Sequence, residues 1–316
     1  MSIGDLIEID LLRLMIIACT PLLVAAMGEL IIERSGILNL SIAGTVTLGA
    51  SATFVTTHAV GDSVFGVLAG LGAAMVVGSV IGLVMAYFVV TLKAEQVTVG
   101  LGLFIFATGA ASMLYRAAIG VSTTSVRIET LRPVPVPLLS DVPFIGDVLF
   151  RHNLYVYGSF LLVVPVAWFL FRTPVGMRLR GVGENPKSLD SLGVPVFRVR
   201  YLALIAGSAL IGLAGAFFPL SLTGGFDSGG TTARGWLALM LVIFGRWRPL
   251  PIVLGALLFA YVDALQFKFA VTVKGIPPQF LLMLPYVLAI LVLVRSYGRA
   301  EAPASLAKPY DREARV

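Results

Sequence analysis

The sequence predicts an all-α membrane protein, a polytopic bundle of about nine transmembrane helices, and three observations support this fold class. Of the 316 residues, 58% are hydrophobic and only 13% are charged, and the mean hydropathy is +0.96. A soluble protein would carry about 25% charged residues. Several runs of about 18 or more residues have almost no charge, which is enough to cross a hydrocarbon core about 30 Å thick. A soluble fold is excluded because too few charges remain to cover its surface.

Nine apolar runs are predicted to be membrane spans. They lie at roughly 11–32, 37–58, 63–92, 97–117, 153–172, 201–222, 232–246, 249–268 and 278–296. The third run is long enough to tilt or to contain a break, whereas the seventh is short. Faint similarity between residues 35–50 and residues 232–247 leaves an internal duplication open, as in many transporters.

Lysine and arginine predict how the bundle is oriented. The segment between the fifth and sixth runs is rich in arginine, and taking it as cytoplasmic places fifteen of the 23 basic residues on that side. Cytoplasmic loops carry such an excess, so the N-terminus is expected outside and the C-terminus inside. Residues 1–300 then form the transmembrane domain with a cytoplasmic loop at 173–200. Residues 301–316 form a cytoplasmic polar tail that we expect to be poorly ordered.

Glycine is abundant within the predicted spans. The third run contains two GxxxG patterns, at Gly66 and Gly70 and at Gly78 and Gly82. In lipid, such small residues let helix backbones approach closely, which compensates for the weak hydrophobic drive between helices. The pattern is compatible with a packed bundle around a pathway and equally with ordinary helix packing.

The sequence lacks the motifs of the common catalytic and metal sites. His58 and His152 lie beside span ends without a cysteine or histidine at ligand spacing, and Cys19 is the single cysteine. Neither a GxSxG nor an HExxH pattern occurs. The basic residues lie in short loops rather than on one face with aromatic readers, so no nucleic-acid partner is expected. The sequence predicts no cofactor, no metal and no enzyme activity.

One stretch approaches a phosphate-binding loop without meeting its pattern. Residues 183–188 read GENPKS, but the motif GxxxxGK[ST] requires glycine before the lysine, where this chain has Pro186. The proline ring removes one of the backbone N–H donors that would hold phosphate. We expect no ATP binding by this chain itself.

A few polar residues within the spans are candidates for a transport pathway. Burying a carboxylate costs several kcal/mol unless it is protonated or paired, so these residues should face protein or water rather than lipid. For each of these residues a structural role is the alternative. Glu29 could belong to a polar cluster with Glu33 and Arg34 at the inner surface, and Asp263 could make a structural hydrogen bond. The pathway candidates are Glu29, Asn39, Asp263 and Gln266.

A short soluble helix is predicted within the basic loop, at about 186–192. Asn185 is a good N-cap, and Pro186 suits the first helical position because its missing N–H is not needed there. Gly193 suits the left-handed residue just past the end of the helix. Leu189 and Leu192 are predicted to share one face. A helix of this length is not stable in isolation, so the apolar ridge suggests a partner protein's groove, with packing on its own bundle or on lipid as the alternative.

The residues around this helix resemble a known family. The segment GENPKSLDSLGVPVFRVRYLAL, which starts at Gly183, is similar to the coupling-helix region in permease subunits of bacterial ABC importers of the branched-chain amino acid and ribose type. The segments GELIIERSGILNLSIAGTVTLGA (28–50), GLAGAFFPLSLTGGFDSGGTTARGWLALMLVIFGRWRPL (212–250) and LPYVLAILVLV (284–294) agree. The likeness is greatest to the nucleoside and simple-sugar group. That group often has GIEG after LNL; this chain has SIAG, with Ala43 in place of the glutamate, so no role of that side chain carries over.

The resemblance implies the permease subunit of an ATP-driven importer in the bacterial cytoplasmic (inner) membrane. It further implies a separate ABC ATPase subunit, a second and non-identical permease subunit, an extracytoplasmic substrate-binding protein or lipoprotein, and membrane lipid around the bundle. The residues that match the coupling motif, and to which the resemblance assigns ATPase docking, are Gly183, Glu184, Asn185, Pro186, Leu189, Leu192 and Gly193.

The expected substrate is a nucleoside or a simple sugar. Both are rich in hydroxyl groups and neither requires a charge within the membrane, so the composition does not separate them. A branched-chain amino acid permease is the alternative within the same superfamily. An ion-coupled secondary transporter is less compatible, since it would carry a titratable constellation in mid-membrane.

Overall fold

The computed structural model describes residues 8–120, 126–272, 278–296 and 302–312. Most of these residues are helical. The helices are α1 (Ile9–Glu33), α2 (Ile42–Val60), α3 (Val64–Ala86), α4 (Gln96–Ile119), α5 (Ile145–Leu149), α6 (Leu154–Arg172), α7 (Pro174–Glu184), α8 (Pro186–Ser191), α9 (Val196–Phe217), α10 (Ser228–Phe244), α11 (Pro249–Thr272), α12 (Pro278–Leu282) and α13 (Leu284–Ser296). Two short strands, β1 (Val134–Pro135) and β2 (Arg151–His152), pair antiparallel, with Val134 opposite His152.

Within the described residues, six helices are long and apolar enough to cross a membrane. They are Ile9–Glu33, Val64–Thr91, Gln96–Ile119, Leu154–Arg172, Val196–Leu222 and Pro249–Phe269. The chain is therefore a polytopic helical membrane protein, as predicted. The remaining predicted runs fall on α2, on the 17-residue helix α10, and on α12 with α13, where the helix is interrupted at Met283.

Two predicted boundaries differ from the structure for local reasons. The run predicted from residue 37 becomes helical only at Ile42, because the side chain of Asn39 accepts hydrogen bonds from the backbone N–H and the hydroxyl of Ser41. Such side-chain bonds stabilise a turn in competition with a helix. In the third run, which could tilt or contain a break, the α-helix ends at Ala86 and a π-helical turn, Tyr87–Thr91, continues it to the end of the run.

The centre of the bundle is built from α1, α2 and α9, and glycine makes their contacts possible. A Cβ atom at Gly49 of α2 would overlap the backbone oxygen of Gly212 in α9, and one at Gly215 would overlap that of Val46. The same holds between α3 and α9, where a Cβ at Gly78 would overlap the oxygen of Ser208. Small residues therefore bring these helices together backbone to backbone.

The bundle has two distinct ends. At one end, which we call the α8 end, lie the C-terminus of α1, the corner between α7 and α8, and residues 302–312. At the opposite end, residues 126–152 cover the helices, with the backbone N–H of Ile128 bonded to Gly224 at 2.8 Å and that of Leu131 bonded to Leu220 at 2.7 Å. The side chain of Arg13 in α1 also reaches the oxygen of Arg151 at this end.

The tail differs from expectation. Residues 302–312 pack on the α8 end of the bundle, and Ser305 and Tyr310 are each only 6% exposed. Poor order was predicted from the polar composition of the tail, which gives no sign that these two side chains are buried. Residues 301 and 313–316 of the predicted tail lie outside the described part of the chain.

Candidate functional site

The corner between α7 and α8 is formed by local capping. Thr173 caps α7 by accepting from the N–H of Gly176, and Asn185 caps α8 by accepting from the N–H of Ser188 at 3.1 Å. Pro186 occupies the first position of α8, as its fixed φ favours. Gly193 follows the helix with φ +81°, a left-handed conformation in which glycine is not strained. The helix predicted at 186–192 thus runs over Pro186–Ser191.

The two leucines predicted to share one ridge are separated in the structure. Leu189 is half-buried and packs against its own bundle, in a cluster with Val182 and Val196. Leu192 is 78% exposed. The two side chains differ in burial because Leu189 lies within α8 against the bundle, whereas Leu192 is the residue that ends the helix. The prediction of a ridge was wrong, and a single leucine projects outward.

The end of α7 lies against the end of α1. Gly183 is buried, and a Cβ there would overlap the backbone oxygen of Arg34. Glu184 is half-exposed, with its carboxylate 4.0 Å from the guanidinium of Arg34. Of the residues in the coupling motif, Gly183 thus serves close backbone packing, whereas Glu184 and Asn185 lie at the surface.

Arg34 belongs to a polar junction with the segment between α10 and α11. Its guanidinium donates to the backbone oxygen of Trp247 at 2.9 and 2.6 Å. The indole N–H of Trp247 donates to the buried carboxylate of Glu33. Burial lowers the pKa of the Arg34 guanidinium from its ordinary value, and the carboxylate of Glu184 opposes that shift. Trp247 thus bonds to both Glu33 and Arg34, a partner that sequence reasoning did not foresee.

Arg246 and Trp247 have unusual backbone conformations. Both have φ +52°, in the left-handed region, and neither is glycine. Each residue in such a conformation lowers the stability of the folded protein by about 1–3 kcal/mol, and the conformation persists only where surrounding contacts hold it. The bonds from Trp247 to Glu33 and Arg34 supply those contacts, and they join α1 to the connection between α10 and α11.

Glu29 and Asn39 form a second buried pair. The amide of Asn39 donates to the Glu29 carboxylate at 2.9 Å, and both side chains are fully buried. Glu29 therefore faces protein rather than lipid, as expected. Sequence reasoning named the two residues separately, and the turn before α2 brings them together.

Asp263 pairs with a residue that sequence reasoning did not select. Its carboxylate lies 3.2 Å from the guanidinium of Arg234 in α10, and each side chain is 19% exposed. Arg234 also lies over the ring of Phe218, 5.6 Å from its centroid. Gln266 lies one turn further along α11 and is buried. Asp263 is 14 residues beyond the start of α11 at the α8 end, which places it about 21 Å along the helix.

A cavity of about 620 Å³ opens at the opposite end of the bundle. Its walls are mostly apolar and come from α1, α3, α6 and α9, while polar groups such as Asp62, Glu129 and Arg132 line its remaining part. The hydroxyl of Tyr155, also in its lining, already donates to the backbone oxygen of Leu213. Its mostly apolar walls are thus suited to apolar contact, and its hydrogen-bonding groups lie in the remaining polar part.

These features define a membrane transport subunit: a polytopic bundle with a short capped helix at one end, where Arg34, Arg246 and Arg248 line a small polar pocket. The chain belongs to the family described as the permease component of the branched-chain amino acid transport system, whose model matches residues 11–293. It is thus a multi-pass protein of the cytoplasmic membrane and acts in transport rather than as an enzyme. The family resemblance inferred from sequence is confirmed.

Several relatives span nearly the whole chain. A protein of Haloferax volcanii, provisionally named a glucose ABC transporter permease, is 35% identical over 96% of this chain and 98% of its own length. A nucleoside ABC transporter permease of Lactococcus lactis is 32% identical over 92% of each. A guanosine ABC transporter permease of Bacillus subtilis is 29% identical over 93% and 94%.

One solved structure shares the fold. It is an inward-facing conformation of a metal-chelate type ABC transporter, with a TM-score of 0.53 at 14% identity. The match covers 90% of this chain and 85% of that chain. At this identity the likeness concerns the fold alone.

Proposed function

We propose that this chain is the membrane-spanning permease subunit of an ATP-driven importer, and that α8 is the helix by which it couples to a separate ATPase subunit. The observation that carries the proposal is the capped helix Pro186–Ser191 at the α8 end of the bundle, followed by Leu192, which is 78% exposed. A short helix with an outward leucine offers a small apolar anchor for a partner's groove. The names of the relatives as ABC transporter permeases support the same function.

The second proposed partner is a further permease subunit, non-identical to this chain, that packs on α4. Among the six long apolar helices, α4 is the least buried. A Cβ atom at Gly102 or Gly109 of its outer face would meet no other atom within 4 Å. A helix face that combines small residues with apolar ones is suited to close packing by another helix. An extracytoplasmic binding protein or lipoprotein would deliver substrate at the opposite end of the bundle.

We further propose nine spans, the three beyond the six long apolar helices being α2, α10 and the pair α12 and α13. The internal duplication would relate α2 to α10. These helices lie side by side, with the hydroxyls of Thr47 and Thr232 2.9 Å apart. The α8 end would be cytoplasmic, because it carries most of the basic residues.

Topology can be tested by labelling with a membrane-impermeant maleimide in whole cells. A cysteine at Asp62, between α2 and α3, is expected to react from outside, whereas one at Ser188 in α8 should react only after the membrane is opened. Cys19 is fully buried in α1, so the background reaction should be low. A reporter at Ser2 and one at the C-terminus should lie on opposite sides. Labelling of Ser188→Cys in intact cells would contradict the proposed orientation.

The proposed substrate is a nucleoside or a simple sugar, as the names of the relatives suggest. Of the pathway candidates, Asp263 and Gln266 are proposed to line the route, whereas the fully buried Glu29 and Asn39 would meet a substrate only if the bundle opens. An amino acid would bring two charges into the membrane, and the charged pair at Asp263 is already internally neutralised by Arg234.

Uptake by the reconstituted importer tests the substrate class. Vesicles that contain this chain with its ATPase, its second permease and its binding protein should accumulate labelled guanosine or glucose when ATP is inside. Leucine serves as the comparison, at the same concentration. Accumulation of leucine alone would favour the branched-chain amino acid alternative, and ion-driven uptake without ATP would reject an ATP-driven importer.

A further inference from the structure

The segment 302–312 is bonded directly to the coupling motif. The backbone N–H of Ser305 donates to the oxygen of Gly183 at 2.9 Å, and its hydroxyl donates to the same oxygen at 2.6 Å. The N–H of Ala304 donates to the Glu184 carboxylate at 3.2 Å. Because Gly183 lies in the last turn of α7, its backbone carbonyl has no hydrogen-bond donor within the helix. The tail supplies that donor through Ser305.

A second anchor is apolar. Tyr310 is 6% exposed and packs in the cluster that includes Val182 and the half-buried Leu189 of α8. Its ring lies 5.7 Å from that of Phe197 at the start of α9. The buried ring therefore fills the space between α8 and α9, so the tail contributes to the surface on which the coupling helix rests.

The last two described residues, Asp311 and Arg312, form ion pairs with two different parts of the bundle. Arg312 pairs with Asp190 of α8 at 3.0 Å. Asp311 pairs with Lys93 at 2.8 Å, and Lys93 lies between the π-helical turn after α3 and the start of α4. Neighbouring tail residues thus hold the coupling helix and the corner that begins α4.

We propose that residues 302–312 are a strap that transmits movement of α8 to α4. This inference rests on the proposed function of α8 as the coupling helix and names the element through which coupling reaches the proposed subunit interface. Along the chain, α8 is joined to α7 and α9, and the strap adds a connection to a helix that is distant in sequence. The pair of Asp311 with Lys93, which connects the strap to the corner before α4, is exposed and weak by itself. The buried Ser305 and Tyr310 therefore hold the strap so that Asp311 stays beside Lys93.

The strap can be tested in the complete importer with a double variant, Ser305→Val with Tyr310→Ala. We expect the ATPase subunit to co-purify and to hydrolyse ATP, while substrate transported per ATP falls about tenfold, a size typical of coupling between sites. Lys308→Ala is a matched control, because its amine donates to Ala304 within the tail and it removes one exposed side chain of the same segment. It should leave transport per ATP unchanged.

A chain that ends after residue 301 provides a second test that does not depend on core substitutions. It should insert, retain the ATPase and lose the same fraction of transport per ATP. Unchanged transport per ATP in both variants would overturn the strap. Loss of ATPase binding in both would overturn it as well, because the tail would then be part of the docking surface. If the unmodified permease binds no ATPase, the proposed function itself is wrong. That result is distinguishable from a failure of the strap, which concerns only the two variants.

Discussion

Replacing Leu192 with aspartate is expected to release the ATPase subunit and to abolish uptake. Leu192 is 78% exposed at the C-terminal end of α8, before the chain turns into α9. If it fills an apolar groove of the ATPase, the variant would bury an unpaired carboxylate there. Truncating a central interface anchor costs about 2–4 kcal/mol, which corresponds to roughly 30- to 1,000-fold weaker binding.

The measurement is the dissociation constant between the detergent-solubilised permease and the ATPase, together with ATP-dependent uptake. Leu138→Asp is the matched control, because Leu138 is 85% exposed at the opposite end of the bundle. It introduces the same charge and should leave ATPase binding intact. Full ATPase binding and full uptake by Leu192→Asp would remove the main physical support for coupling through α8.

Leu189 shows why the site was only partly predictable. Its spacing from Leu192 is three residues, which predicts a common helix face only while the helix continues through both. The helix stops between them, and Leu189 instead packs on the cluster with Val182 and Tyr310. The caps at Asn185, Pro186 and Gly193 were predictable because each depends on its own few neighbours.

The membrane helices could be predicted because hydropathy is a property of composition over a window of residues. The polar junctions could not, since their partners are far apart in sequence. Trp247 bonds to Glu33 across 214 positions, and Ser305 bonds to Gly183 across 122. One sequence offers no signal for such pairs, and a polar tail is by composition indistinguishable from a disordered one. Trp247 stands out only as an aromatic residue in a basic loop.

The pairing of Asp263 with Arg234 leads to the second prediction. Asp263→Leu leaves the Arg234 guanidinium without its carboxylate in a mostly buried setting between α10 and α11. Removing one partner of a buried ion pair typically costs about 3–5 kcal/mol, and with each side chain 19% exposed the lower value applies. We expect a lower melting temperature in detergent and a loss of uptake of at least about tenfold.

A double variant separates a structural role of the pair from a role in the pathway. Replacing both residues by leucine removes the unpaired charge, and such replacements of ion pairs are often neutral or stabilising. The melting temperature should therefore recover in Arg234→Leu with Asp263→Leu. If Asp263 contacts the passing substrate, uptake stays low despite the recovered stability. Recovery of both quantities would show that the pair only joins α10 to α11, and Asp263 would no longer be a pathway residue. Reversing the charges, Arg234→Asp with Asp263→Arg, should also restore stability, because an ion pair forms again in the opposite orientation. Uptake by this variant is therefore a second measure of whether Asp263 itself contacts the substrate.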